Sequence, residues 1–551
     1  MKHIQTWVFV LLLSVVLAPN AWAETATQSP EIPFKPPAIP TSSTADHSTF
    51  DALKRSFASG PEVTEACLSC HTEADNQLMH AIHFTWDYKS QSGQTLGKSN
   101  VINSFCGNVA GNEARCTSCH AGYGWEDMGQ TPVEAKVAPD CLVCHDRTGQ
   151  YTKTATGAGH PPLDPVKPGT KTITGKLAWA VDLTKSAQSV GMPGRDNCGN
   201  CHFYGGGGDN VKHGDLSSVL YNPTKDVDVH MATDGLNFTC STCHVEDKHN
   251  WAGSRYDVLA KDMSLPKPGA ARATASCESC HSNDPHPANI KGLKLNDHTD
   301  KLACQTCHIP EFAKGGVATK TYWDWSAAGR MGPDGKPMSE DNFVQSDGKR
   351  LHTYLSTKGI FDYGEDVTPH YAWFNGQVEY ATGEVIDPTQ IVEVNRLNGT
   401  PGANDSRIWP FKRMVGRQSY DTDSSKLAYS HVWGPTTDTA FWTNFDWPKA
   451  IEAGMKAAGQ EYSGNFDFVD TYMYWPITHM VAPAEQALDC AACHAEEGRL
   501  EGLAGVYMPG TNPRGPAGLL GMAIFALALI GVAGHAILRL FGRKPKGASH
   551  D

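Results

Sequence analysis

CTSCHAGYGW, at residues 116–125, contains the five-residue pattern that decides the fold of this 551-residue chain. Two cysteines stand three positions apart, and a histidine follows the second one directly. This C-x-x-C-H pattern occurs eight times and uses sixteen of the 17 cysteines. The copies, numbered one to eight in chain order, are Cys67, Cys70 and His71; Cys116, Cys119 and His120; Cys141, Cys144 and His145; Cys198, Cys201 and His202; Cys240, Cys243 and His244; Cys277, Cys280 and His281; Cys304, Cys307 and His308; and Cys490, Cys493 and His494. Spacing this regular excludes a disulfide framework.

The spacing is set by the chemistry of covalent haem attachment. Two thiols add across the two vinyl groups of one porphyrin, and the histidine places an imidazole nitrogen on the iron. Zinc ribbons need a second C-x-x-C pair at ribbon spacing and no histidine directly after it, and thioredoxin-like motifs lack that histidine too. The sequence therefore predicts eight covalent haem c groups, with sixteen cysteines attaching them and eight histidines as iron ligands.

A second axial ligand decides whether a haem only carries electrons or also binds substrate. Seven further histidines are predicted as distal iron ligands: His83, His213, His230, His249, His286, His298 and His479. Six more lie in the same part of the chain: His47, His80, His160, His352, His370 and His431. The longer pattern C-x-x-C-H-x-x-x-x-H occurs at motifs five and six, ending at His249 and His286. This repeat predicts a ligand that each unit donates to a neighbouring haem.

The composition is that of a folded protein that does not bind nucleic acid. The chain is 40% hydrophobic and 19% charged, a balance that supports a buried core. Its formal net charge is -13, which disfavours recognition through phosphate contacts.

Both ends of the chain predict a location outside the cytoplasm. Residues 1–23 carry one lysine, an apolar run and a final Ala-x-Ala, as an export signal does. No charged residue occurs at 516–538, and 23 helical residues span roughly a 30 Å bilayer core. The basic residues that follow this run are Arg539, Arg543, Lys544 and Lys546. Since basic residues stay on the cytoplasmic side, we expect one C-terminal anchor that holds the body on the periplasmic side of a bacterial inner membrane.

The chain between these ends reads as one extended haem domain at 47–508. We expect linkers at 24–46 and 509–515, a transmembrane helix at 516–540 and a cytoplasmic tail at 541–551. Seven motifs lie within 47–308, whereas the segment 309–489 has no cysteine and holds eight of the 14 tryptophans. We expect that segment to wrap the haems with short helices and loops and to supply distal ligands such as His479. The predicted fold class is mainly α with extensive loops.

Several stretches resemble the octahaem tetrathionate reductase family of periplasmic multihaem cytochromes c. They are STADHSTF, NSFC, CTSCHAGYGW, CLVCHDRTGQY, CGNCHFYGGGGDNVKHGDL and CQTCHIPEFAKGGVATKTYWDW, between residues 43 and 325. The resemblance runs to about residue 500 and includes all eight motifs in order. It implies a haem arrangement similar to that of hydroxylamine oxidoreductase and pentahaem nitrite reductase. It also implies seven haems with two histidine ligands and one active haem with a lysine ligand, flanked by a cysteine and polar groups.

Carried over residue by residue, the resemblance gives four candidate catalytic residues. Cys106 is the only cysteine outside a motif and lies ten positions before Cys116, which fits a thiol beside the second haem. Asn103 precedes it in NSFC. Asp182 and Lys185 fit the family's Asp-x-x-Lys pair, with Lys185 as the iron ligand. Three rival ligands remain open: Lys153, Lys212 and, more weakly, Met192.

The resulting functional prediction is a membrane-anchored oxidoreductase that reduces tetrathionate, nitrite or hydroxylamine. The expected partners are a small sulfur or nitrogen oxyanion and, as electron donor, a quinol-oxidising membrane cytochrome or a periplasmic cytochrome. Calcium is kept as an additional candidate cofactor. Two alternatives stay open: a hydroxylamine or hydrazine oxidoreductase, with Tyr472 or Tyr474 available for a cross-link to the catalytic haem, and an electron-transfer module without catalysis.

Overall fold

The computed structural model describes residues 44–126, 134–262, 275–495, 497–506 and 516–541. The predicted signal at 1–23, nearly all of the linker at 24–46, the linker at 509–515 and the tail from 542 onward lie outside the described residues. The chain forms two compact units that divide between Gln486 and Ala487. The eighth motif and the apolar C-terminal helix belong to the second unit.

The helices of the first unit are short, and most of them carry the motifs. Within a helix, positions i and i+3 lie on one face, so a helical C-x-x-C directs both thiols to the same side. The α-helices are Gly60–Leu68, Ala74–Met79, Ile82–Thr85, Glu113–Cys116, Leu142–His145, Leu183–Gln188, Arg195–His202, Cys240–Cys243, Glu278–His281, Ile290–Thr299, Cys304–His308, Phe441–Asn444 and Trp447–Ala457. Short 3-10 turns extend this framework, including Thr117–Cys119 within motif two.

Strands dominate the cysteine-free segment. The seventeen strands are β1 Tyr88–Lys89, β2 Thr95–Leu96, β3 Glu246–Asp247, β4 Asn250–Trp251, β5 Thr319–Asp324, β6 Ser339–Glu340, β7 Phe343–Val344, β8 Arg350–Leu351, β9 Tyr354–Leu355, β10 Gly359–Gly364, β11 His370–Phe374, β12 Val378–Tyr380, β13 Val392–Glu393, β14 Asn395–Leu397, β15 Arg407–Asp421, β16 Lys426–Leu427 and β17 Phe466–Pro476. Nine of them form one sheet in the order β13-β17-β15-β5-β10-β9-β6, with β11 and β16 also paired to β15. β15 pairs antiparallel with β17 from Phe411 to Asp421 and parallel with β5.

This sheet corrects the predicted fold class, because the fold has mixed α/β content and is not mainly α. The 15-residue strand β15 is buried on both faces over its first six residues, so its sequence lacks the polar-apolar alternation of a half-exposed strand. Its cover is aromatic: Trp323, Trp409, Phe411 and Trp475 lie in one buried cluster. That cluster also includes Phe105, so the sheet packs against the loop that carries Cys106.

The second unit contains the helices Cys490–Cys493 and Pro516–Phe541. In the described part of the chain, one helix is long and apolar enough to cross a membrane, at Gly518–Phe541. Its large apolar side chains are exposed, as a lipid-facing surface requires.

Candidate functional site

The motifs of the first unit lie next to one another in a continuous series. Cysteine side chains of different motifs are in contact, and these contacts join motifs one and three, two and four, four and five, and six and seven: Cys67 with Cys141, Cys119 with Cys201, Cys198 with Cys240, and Cys277 with Cys304. Motifs five and six are neighbours through Cys243 and Cys280, and motifs three and four through Cys144 and Cys201. Groups attached to these thiols would therefore be close neighbours along one path.

Five motif histidines face a second histidine at a nearly constant distance between ring centroids. The pairs are His47 and His71 at 6.4 Å, His83 and His202 at 6.2 Å, His230 and His281 at 6.0 Å, His244 and His479 at 6.2 Å, and His286 and His308 at 6.3 Å. A metal with bonds of about 2 Å to two facing imidazole nitrogens would hold the centroids about 6.3 Å apart. The repetition of one spacing across five motifs fits an iron between each pair, so the residues present suit covalent haem.

Four of these pairs contain a predicted distal ligand, namely His83, His230, His286 or His479, and the fifth pair contains a histidine that was not predicted. His47, which the seven predicted ligands did not include, faces His71, and the nearby signal in the sequence was the stretch STADHSTF. His479 also donates from Nδ1 to an Asp215 carboxylate oxygen at 3.0 Å. A carboxylate on the far ring nitrogen is the usual orienting partner of a metal-bound histidine.

The remaining predicted distal ligands have mixed surroundings. His249 lies within electrostatic range of His145 and contacts Gln77 through Nδ1. His213 rests against the Trp475 ring at 5.5 Å, and the nearest motif histidine, His202, is already faced by His83. For His298, whose Nδ1 lies 2.6 Å from the Lys294 carbonyl oxygen, the role of iron ligand stays a prediction.

Two motif histidines of the first unit lie outside these five pairs: His145, which has His249 nearby, and His120, in motif two. Among the described residues its ring neighbours are Phe84, Trp86 and Trp125, and it faces no second histidine. The segments outside the described residues contain no histidine apart from His3 and His550 near the chain ends. Burial lowers the pKa of His120 to about 3, so the ring is neutral and able to bind a metal. Motif two therefore has a place on its distal side for a different ligand.

Cys106 lies on a loop beside this motif. Asn103 shapes the loop, since its side-chain oxygen accepts a hydrogen bond from the Phe105 N–H at 2.9 Å. The Cys106 Sγ lies 3.7 Å from the Gly206 carbonyl oxygen. Gly206 has φ of +76°, and a Cβ there would lie 2.9 Å from a methyl carbon of Val211, so the glycine run is needed for this close approach. Cys106 is also within electrostatic range of Cys116.

Lys212 follows the same glycine run and is half-buried. Its side-chain nitrogen lies 4.6 Å from the Trp475 ring centroid. The lysine is also close enough to Cys119 to interact with it electrostatically. Removal from water, together with the charges of Arg255 and Lys98, lowers the pKa of Lys212 well below its ordinary value. A lowered pKa makes the amine easier to deprotonate, and a deprotonated amine can donate a lone pair to a metal.

The other two lysine candidates are placed elsewhere. Lys153 is fully buried, but its Nζ lies 2.8 Å from Asp140 and donates to the His120 carbonyl oxygen at 2.7 Å. Lys185 is exposed on the short helix Leu183–Gln188, where Asp182 serves as the N-cap and accepts a hydrogen bond from the Lys185 N–H. Asp182 therefore has an ordinary capping role. The same Asp-x-x-Lys spacing occurs again in Asp209 and Lys212, which are half-buried.

The remaining candidates give no second site. Met192 is 45% exposed. The Tyr474 hydroxyl donates to Glu393 at 3.0 Å, and its ring stacks with His370 rather than with a motif histidine. No group of three or more His, Cys, Asp or Glu side chains arranged to hold a metal ion occurs within the described ranges, so calcium remains a prediction without a site.

Comparisons with known proteins agree with this geometry. The family model described as "Cytochrome c bacterial" matches residues 320–497. The crystal structure of octaheme cytochrome c from Shewanella oneidensis is similar at a TM-score of 0.70 and 39% sequence identity, covering 86% of this chain and 99% of that chain. An uncharacterized protein of Archaeoglobus fulgidus is 23% identical over 247 residues, which are 36% of this chain and 79% of that protein.

Proposed function

Because the chain belongs to the octahaem cytochrome c family, we propose that it is an extracytoplasmic reductase of a small sulfur or nitrogen oxyanion, with its active site at motif two. The family predicted from the sequence is thereby confirmed, and c-type haem attachment implies a location outside the cytoplasm. The observation that carries the proposal is the environment of His120. Five other motif histidines face a second histidine, whereas His120 has aromatic neighbours, and the cysteines of its motif lie near the Cys106 thiol and Lys212.

The residues around motif two divide the work of such a site. The haem bound there would supply electrons singly from its iron. Lys212 would be the distal ligand in place of Lys185, because burial eases the loss of its proton, and the neutral amine can bind a metal and, as a weaker partner than histidine, can yield to substrate. Cys106 would act as a thiolate on a sulfur substrate, by thiol exchange at a sulfur–sulfur bond. Asn103 would keep the Cys106 loop in place.

The remaining motifs would bring electrons to this site. The contacts between motifs one and three, three and four, and two and four connect motif two to the rest of the first unit. The five histidine pairs would close the irons of their motifs, which suits them to electron transfer and not to substrate binding. Eight haems in the mature protein, a membrane anchor at the C-terminal helix and a quinol-oxidising or periplasmic cytochrome as donor complete the proposal.

The experiment that tests this function is a steady-state assay of the purified holoprotein with a reduced dye and tetrathionate, nitrite or hydroxylamine. Lys212→Met should change the spectrum of the active haem and alter all of the rates, whereas Lys185→Met, the matched exposed control, should leave both unchanged. Cys106→Ala should reduce tetrathionate turnover more than nitrite turnover, since only the sulfur substrate can exchange with a thiol. An unchanged spectrum in Lys212→Met, or the absence of turnover with all three substrates, would reject the proposal.

A further inference from the structure

Lys320 is a buried cation without a carboxylate partner. It is only 6% exposed, and its Nζ rests on aromatic rings, 3.2 Å from the centroid of Phe361 and 4.1 Å from that of Trp323. Within the described ranges its side chain makes no ion pair. Aromatic faces attract a cation, but they do not neutralise it. The charge of Lys320 is therefore left uncompensated by the protein.

Lys358 and Arg115 form a second part of the same positive cluster. Their charged ends lie 4.9 Å and 5.1 Å from the centroid of one ring, that of Trp442. The two positive groups are close enough to repel each other, so an anion near both would stabilise them. In the part of the chain that the structure describes, neither of the two makes a side-chain salt bridge.

The sheet holds the two parts of the cluster together beside Cys106. The Trp323 ring lies under Lys320, and its Nε1 donates to the Lys358 carbonyl oxygen at 2.7 Å. Two residues after Trp323, Trp325 donates from Nε1 to the Phe105 carbonyl oxygen at 2.9 Å, which fixes the residue before Cys106. The cluster thus has a rigid frame that extends to the thiol.

Cys106 is the one acidic group whose charge reaches both lysines. Burial lowers the pKa of Lys320 and of Lys358, and the thiolate of Cys106 is the attraction that opposes this shift. The nearest carboxylate on the helix of Arg115 is Glu113, and its Oε1 accepts a hydrogen bond from the Gly111 N–H. Lys412, also close to Lys320, is already satisfied by three oxygens: those of Val211, Lys212 and the Thr319 hydroxyl.

We propose that Lys320, Lys358 and Arg115 form a binding site for one inorganic oxyanion beside Cys106. Three cations on a rigid aromatic frame can surround an anion with charge-assisted hydrogen bonds, which are about twice as strong as neutral ones. The site rests on the proposed function in identifying this anion with the substrate, but its binding of anions needs no turnover. It would hold a polythionate or nitrogen oxyanion against the thiol and orient it toward motif two.

The thiol itself provides the test. Sixteen of the 17 cysteines attach haem, so Cys106 is the single free thiol of the holoprotein. Its alkylation by iodoacetamide, an uncharged reagent, is followed by mass spectrometry of the peptide that contains it. The probe is sodium sulfate, added at constant ionic strength with sodium chloride, because sulfate is an oxyanion that does not react with thiols. Sulfate should protect Cys106 to a saturating extent.

Two variants and their controls locate the site. Lys320→Gln and Lys358→Gln should each raise the half-protecting sulfate concentration about tenfold or more, since each removes a charged hydrogen-bond donor. Lys294→Gln, whose lysine side chain is 75% exposed, should leave it unchanged. Lys320→Arg and Lys358→Arg retain the charge and should retain protection, which covers the case in which a glutamine variant fails to fold.

Each outcome bears on the proposal in one direction. Equal protection in the glutamine variants would overturn it, and so would no protection in the unaltered protein, because haem propionates would then neutralise the cluster. Protection without turnover of any substrate would reject the proposed function and keep the anion site. Turnover without protection would reject the anion site and keep the proposed function.

Discussion

Lys153→Met tests the buried ion pair that Lys153, one of the candidate iron ligands, forms with Asp140. Lys153 and Asp140 have side chains that are 1% and 0% exposed, and their charged atoms are 2.8 Å apart. The hydroxyls of Tyr123 and Tyr151 also donate to Asp140, both at 2.8 Å. Burial and the Asp140 charge hold the pKa of both tyrosines well above the ordinary value, so they remain donors. Methionine has a similar length and no charge, so the change leaves Asp140 ionised without its cation.

The expected loss of stability follows from this geometry. Removing one partner of a buried ion pair costs about 3–5 kcal/mol, because the other charge stays buried and unpaired. The two tyrosine bonds offset part of that cost, and each is worth about 1 kcal/mol. We expect Lys153→Met to lower the free energy of unfolding by about 1–3 kcal/mol. Asp140→Asn combined with Lys153→Met should cost less than the sum of the single changes, since it removes both charges.

The assay is urea unfolding of the holoprotein, followed by far-UV circular dichroism, for the two single variants and the double variant. The second measurement is the spectrum of the active haem, which should not change, because Lys153 is committed to Asp140 and to the His120 carbonyl oxygen. A loss below about 1 kcal/mol, or costs that simply add in the double variant, would refute the ion-pair reasoning. A changed haem spectrum would restore Lys153 as an iron ligand.

Four further predictions follow from other features. Asp215→Asn should raise the reduction potential of the haem between His244 and His479, and a tenfold change in relative binding of the oxidised iron corresponds to about 59 mV in a redox titration; an unchanged potential would argue against that pair. Burial raises the pKa of Asp421, but hydrogen bonds from the backbone N–H groups of Ser424 and Ser463 outweigh this effect, and the net pKa is lowered. Asp421→Asn should therefore cost about 1–3 kcal/mol of stability at pH 7, and this difference should shrink as the pH falls through the lowered pKa. Equal urea midpoints of the variant and the unaltered protein at neutral pH would contradict this prediction. Truncation after residue 515 should release the protein from membranes, keep dye-driven activity and abolish quinol-driven turnover, whereas unchanged quinol-driven turnover would disprove the anchor's role. The mass of the denatured mature chain should correspond to eight haems, and a count of seven would reject one motif.

The sequence alone determined the cofactor chemistry and the family. C-x-x-C-H is a local pattern in which five adjacent residues supply both thioether bonds and one axial ligand, so no tertiary information is needed to recognise it. The same holds for the apolar run at the C-terminus, since length and composition decide whether a helix can span a bilayer. Cys106 was also identified from the sequence, because it is the single cysteine left over from the motifs.

Only the tertiary structure decided the nine-stranded sheet, the histidine pairs and the different burial of the candidate lysines. β15 is buried on both faces in its first half, and such a strand has no period-two signal. The partners His244 and His479 are separated by 235 positions, and no local pattern encodes which distant ring lies opposite a motif. The same spacing joins Asp182 to Lys185 and Asp209 to Lys212. Lys185 is nevertheless exposed, whereas Lys212 is half-buried and has a lowered pKa. Burial sets the pKa of an amine, and burial is a property of the whole fold.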